Sequence, residues 1–184
     1  ILQAPEDQWQ ELALGWAQVD TQRERLALQA AQAQATANSI VSPHSQLIRA
    51  SHEVYATRFL PGYQVIYVVD GDGDRVTPEQ RSVLAEAGIT ITIHDSMPDV
   101  LLWNRQNNSL WVIEAVTSDG EVDIHKMRSL QAFAIRNGKE SIGFTTTYPT
   151  WKKAAERQSA LKNLASNSYM WILEDPSRNI QIHQ

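Results

Sequence analysis

The apolar positions of this chain change period several times, and each change marks an element. Residues 6–38 are rich in Gln and Ala without a proline, which predicts a helix. Along it Trp9, Leu12, Trp16, Val19, Arg23, Leu26, Ala30 and Ala33 recur at alternating spacings of three and four. That is a heptad-like stripe breached by one charge, suited to packing on its own domain or to dimerisation. Ser42-Pro43-His44 breaks the pattern, and a second helix is expected over 44–58 with Leu47, Ile48, Val54 and Tyr55 inward. Pro61-Gly62 makes a turn, and the nearly all-apolar run 64–69 reads as a central strand. Thr77-Pro78 with Gln80 is a capping-box start for a helix that stops at Gly88. Strands are expected at 89–94, 99–103, 110–117 and 141–147, with helices at 123–136 and 151–165. A final hairpin pairs 169–173 with 180–183 around Asp175-Pro176. This order predicts an α/β architecture, a mixed central sheet flanked by helices, behind an N-terminal helical arm.

One hairpin carries chemistry. Asn104, Asn107 and Asn108 mark a polar turn between two apolar strands. Centring it between Gln106 and Asn107 pairs Trp103 with Leu110, Leu101 with Val112, and Asp99 with Glu114. Opposed residues of such a pair have Cβ atoms about 5 Å apart. Two facing carboxylates repel unless a cation lies between them or they share a proton. Hard oxygen ligands at strand ends suit Mg²⁺. A register slip of one residue would put the two acids on opposite faces. Glu114 also stands in the apolar run Leu-Trp-Val-Ile-Glu-Ala-Val, where an unpaired carboxylate is costly to bury.

At 184 residues and 42% apolar content, the chain suits one folded domain, 41–184, plus the arm, 1–40. It has no run apolar enough to span a membrane and no signal-peptide pattern. It also has no Cys, so disulfides and thiolate catalysis are excluded and a cytoplasmic protein is expected. The net charge of −5 taken whole argues against nucleic acid. Its distribution argues otherwise, since residues 41–122 carry −6 and residues 123–165 carry +5. An acidic stretch holding metal ligands, followed by a basic block, fits a metal-dependent site on a polyanion.

The motif Pro98-Asp99, a hairpin and then Glu114 resembles the PD-(D/E)xK nucleases. More closely, the chain resembles the C-terminal catalytic domain of the BsuBI/PstI family of type II restriction endonucleases. The likeness rests on Ser42-Pro43-His44, Arg58-Phe59-x-Pro61-Gly62, Pro98-Asp99-Val100, Glu114-Ala-Val-Thr-Ser118 with Gly120, Trp171-Ile172 and Ile182-His183. It covers about residues 42–184 and implies Mg²⁺-dependent cleavage of double-stranded DNA in a restriction-modification system. Asp99 and Glu114 would be the metal ligands, with a homodimer cutting both strands. The superfamily's usual Lys position is Val116 here, so Lys126 is expected to supply the amine, with His125 beside it. Arg128, Lys152 and Lys153 are the expected DNA contacts, Trp151 beside the last two.

Where the family has His-Gly-Pro, this chain has Asp119-Gly120-Glu121, placing two acids beside Ser118. They could serve a second ion or repel phosphate, which leaves open a silent DNA-binding or regulatory module on the nuclease fold. Asp70-Gly-Asp72-Gly-Asp74 imitates half a calcium loop, but Arg75 and Arg81 stand where Gly and Glu are needed. An acidic turn follows this strand in the resembled family too, so Asp70 is a supporting candidate with Ser118, Asp119 and His125.

Overall fold

A computed structural model of the chain describes residues 23–30, 42–69 and 76–183. The chain divides after Val41, and its two units are taken separately. In the first, residues 23–30 are helical (α1). The rest of the apolar stripe and the acidic turn with Asp70 lie outside the described residues.

The second unit opens on helix α2 (Pro43–Ala50), capped by the Ser42 side chain, which accepts from Ser45 N. Pro at the first helical position costs no hydrogen bond, because that N–H has no partner in any helix. The helix runs on through a π-helical turn, Ser51–Tyr55, into α3 (Ala56–Phe59). Next come β1 (Tyr63–Val68), α4 (Pro78–Glu86), β2 (Val100–Asn104), β3 (Ser109–Ala115), α5 (Ile124–Arg136), β4 (Ile142–Tyr148), α6 (Trp151–Leu161), β5 (Tyr169–Ile172) and β6 (Ile180–Gln181). The six strands form one sheet in chain order. β3, β4 and β5 run parallel, and β1–β2, β2–β3 and β5–β6 are antiparallel. The sheet is mixed and flanked by helices, as the pattern predicted.

The period of two along β2 and β3 sorts side chains onto two faces. Leu101, Trp103, Leu110 and Val112 pack with Leu84 of α4 and with Met127, Leu130 and Phe133 of α5. Val100, Leu102, Ile113 and Ala115 pack with Leu47, Ile48 and Tyr55 of the α2–α3 helix. Three consecutive buried threonines on β4 tie these layers together. Thr145 Oγ1 meets Tyr55 OH at 2.7 Å and accepts from Trp111 Nε1 at 3.0 Å. Thr146 Oγ1 accepts from Val122 N, and Thr147 Oγ1 meets Ser51 Oγ at 2.8 Å.

Two expected elements differ. Residues 89–94 form no strand, because other groups capture their backbone donors. Ile89 N donates to Leu84 O, Thr90 N to the Asn137 side chain and Thr92 N to Asp95 Oδ2. α6 ends at Leu161 rather than Ala165, because Lys162 takes a left-handed conformation at φ 45°. Ala165 N then donates to Val122 O, drawing the following segment back onto the sheet.

Candidate active site

The β2–β3 ladder has the register expected from the turn: Trp103 opposes Leu110, Leu101 opposes Val112 and Val100 opposes Ile113. Continuing it by one residue brings Asp99 and Glu114 to the same end of the sheet. Asp99 Oδ2 accepts a 2.8 Å hydrogen bond from Ala115 N, and its carbonyl accepts from Val69 N. The residue is therefore fixed through both backbone and side chain.

Glu114 is only 7% exposed. Burial pushes its carboxyl up to about 8; the Lys126 ammonium opposes this and the neighbouring Asp99 carboxylate reinforces it. Lys126 Nζ lies 3.3 Å from Glu114 Oε1 and donates to Gly120 O at 2.7 Å. The amine comes from the first turn of α5, whose start is capped by Asp123 accepting from Lys126 N. Val116 could not have supplied it. That position is fully buried against Tyr148, Ala154 and Ile172, where an ammonium would lose its hydration without a partner.

The loop from β3 to α5 is pinned at several points, which makes Lys126's approach reproducible. Val116 N donates to Thr147 O, Val122 N to Thr146 Oγ1 and Ala165 N to Val122 O. Glu121 is buried and takes both ends of the Arg157 guanidinium, at 2.6 and 2.7 Å. Burial alone would raise its carboxyl, but the Arg157 pair outweighs that and holds it below the usual carboxylate range. Glu121 is thus a structural anchor of the loop. Ser118 and Asp119 stand exposed on the same loop.

A cleft of about 270 Å³ opens over Glu114 and Lys126 and is also lined by Ser96, His125, Ser129 and Leu130. A larger groove of about 490 Å³, lined by Trp151, Ala154, Met170 and Ile182 among others, has no acidic residue in its wall. It is apart from this chemistry. Of the expected DNA contacts, Arg128 and Lys152 are exposed, while Lys153 lies 3.8 Å from Glu156 Oε2. Trp151 Nε1 donates to Asp175 Oδ2.

One residue at the site was not singled out from sequence. His44, the second residue of α2, brings Nε2 to 3.8 Å from Asp99 Oδ1 and Nδ1 to 3.4 Å from Thr117 Oγ1. The sequence marked a helix start there, but not that this start abuts the end of β3.

The BsuBI/PstI restriction endonuclease domain matches residues 30–184. The chain belongs to that family. Its match begins inside the arm, ahead of the segment that carried the resemblance. The type II restriction enzyme BsuBI of Bacillus subtilis is 31% identical over 140 residues, covering 76% of this chain and 43% of that protein. The solved structure of SdaI restriction endonuclease aligns with a TM-score of 0.62 at 27% identity, over 78% of this chain and 44% of that one. The chain therefore spans less than half the length of these relatives. Among the described residues of this BsuBI/PstI-family chain, no helix is long and apolar enough to cross a membrane.

Proposed function

We propose that this chain is the catalytic part of a type II restriction endonuclease, hydrolysing phosphodiester bonds of double-stranded DNA with Mg²⁺ as cofactor. The observation that carries this reading is the meeting of three side chains at one end of the sheet. Asp99 comes from just before β2, Glu114 from the end of β3 and the Lys126 ammonium from α5. Family membership supports it.

The donor set suits a hard divalent ion. Among the described residues no group of three His, Cys, Asp or Glu side chains is placed to hold a metal ion. Two carboxylates would therefore leave the rest of a six-coordinate shell to water and phosphate oxygens, the arrangement Mg²⁺ favours. Burial keeps the Glu114 carboxyl raised even with the Lys126 ammonium beside it, so a further cation there would favour its ionised form. When bound by Asp99 and Glu114, Mg²⁺ supplies a water of lowered pKa and charge neutralisation at the scissile phosphate. Lys126 holds a fixed positive charge beside that position, donating to the attacking water or to a phosphate oxygen as negative charge develops. His125 on the cleft wall, with Ser118 and Asp119 on the loop, would have supporting roles. Arg128, Lys152 and Lys153 would contact backbone phosphates, so binding should weaken as salt rises. Cutting both strands calls for two such centres, hence a homodimer.

Supercoiled plasmid incubated with Mg²⁺ or Mn²⁺ tests the reading. The protein should cut it, and Asp99→Ala and Glu114→Ala should abolish cutting while circular dichroism shows an unchanged fold. Metal-dependent cleavage surviving in either variant overturns the assignment. Wild-type protein that binds the plasmid and leaves it intact would instead make the chain a silent DNA-binding module.

A further inference from the structure

We infer that His44 is a positioning residue for Asp99, held in place by Thr117. The inference rests on the proposed metal site and assigns a task within it. The imidazole, 73 residues from Thr117 in sequence, lies between Thr117 and Asp99. On one side Nδ1 lies 3.4 Å from the Thr117 hydroxyl, and on the other Nε2 lies 3.8 Å from Asp99 Oδ1. A Thr117 hydroxyl donating to Nδ1 leaves the proton of a neutral ring on Nε2, facing the carboxylate.

Asp99 needs such a partner on only one oxygen. Its Oδ2 accepts from Ala115 N, and Oδ1 is the oxygen that His44 Nε2 faces. Hydrogen bonds of active centres are often long before ligands bind and close only in the loaded state, so 3.8 Å is within reach of that role. With no third side chain joining the two carboxylates among the described residues, His44 stands outside the ligand set. Residues that orient a metal ligand in this way commonly govern affinity as strongly as some ligands do.

The helix carrying His44 is fixed well enough to aim it. Ser42 caps its start, Leu47 and Ile48 are buried beneath it, and Ser51 Oγ bonds Thr147 Oγ1 on β4. Thr117 lies two residues past the end of β3, next to Val116, whose N–H is tied to the carbonyl of the same Thr147. Both supports of the imidazole thus refer to one strand residue. The His44 side chain is 43% exposed, so its removal leaves the core intact.

Mn²⁺ binding, measured by calorimetry in the absence of DNA, tests the inference independently of cleavage. His44→Ala should weaken Mn²⁺ roughly 10- to 100-fold. His44→Gln, whose amide N–H replaces Nε2–H, should restore most of the affinity, and Thr117→Val should fall between the two. Unchanged affinity in His44→Ala, with binding lost in Asp99→Ala, overturns the positioning role and leaves the metal site standing. Binding that survives Asp99→Ala and Glu114→Ala as well overturns the site and this inference with it. Nitrogen coupling in the electron spin-echo spectrum of bound Mn²⁺ would make His44 a ligand and overturn the inference too.

Discussion

Gly120 sits at φ +105°, a backbone conformation that a side chain tolerates poorly, and its carbonyl accepts from Lys126 Nζ. The conformation and the contact occur at one residue, so a change in the backbone there reaches the carbonyl that meets the amine. Gly120→Ala should cost about 1–3 kcal/mol in strain, relieved by swinging the carbonyl away. Displacing the amine from its partner should lower cleavage by ~100-fold, since a shift near 1 Å is enough for such a loss. Single-turnover rates at saturating Mg²⁺ beside a urea melt would check both; an alanine variant with the parent rate would show that the carbonyl does not hold Lys126. The pair Asp99–Glu114 was legible in the sequence because an antiparallel hairpin is local, and its turn fixes which residues oppose. Lys126 could be named only as a replacement for the amine missing at Val116. His44 and Thr117 could not be joined at all, since nothing local to either segment encodes their approach.

Among the elements, β4 depends on a residue with no side chain. The Trp111 ring lies flat over Gly143, so closely that an added Cβ would fall 2.2 Å from its Cζ3. The indole cannot retreat easily: its Nε1 donates to Thr145 Oγ1, and its ring contacts Tyr63 and Tyr169 on either side. Gly143→Ala should therefore destabilise by roughly 1–3 kcal/mol through overpacking. A Trp111→Leu background should absorb most of that loss, and a double-mutant cycle by urea denaturation would reveal the coupling. The helices were readable because their ends are written locally, as with the capping box in which Thr77 and Gln80 satisfy each other's backbone N–H. The apolar stretch 89–94 misled for the opposite reason. Its pattern suits a strand, but Asn137 and Asp95 claim its donors, and Asn137 is far along the chain.

For the molecule as a whole, charge is the property the structure revises most. The basic block counted from sequence is largely committed internally. Lys126 faces Glu114, Arg136 faces Asp95, Arg157 faces Glu121, and Lys139 bonds the Ala87 carbonyl and Asn108. Among the described residues, exposed Arg128, Lys152 and Lys162 remain clear of such pairs, a smaller basic surface than the net +5 of residues 123–165 suggested. Glu114 bears on stability with an uncommon sign. Glu114 has an ordinary value of 4.5 and stands near 8 in the folded, metal-free protein, so the native state holds a proton that the unfolded chain has released. Stability of metal-free protein should therefore fall as pH rises from about 4.5 to about 8 and level off above. Chemical denaturation across that range would show the slope, Glu114→Gln should flatten it, and saturating divalent metal should reverse it by drawing the proton off. A metal-free protein with no such slope would mean that Glu114 is already ionised.

An amine borne on β3 would be as durable as the sheet itself. Placed on the first turn of α5, Lys126 is only as durable as that turn, which Asp123 caps and Gly120 O anchors. Helix ends open at far lower free energy than whole domains do. The proposed centre can therefore come apart by fraying one helical turn while the six-stranded sheet stays whole. Loss of activity with heat should then precede loss of fold, and amide exchange should be fast at residues 124–126 while β3 remains protected.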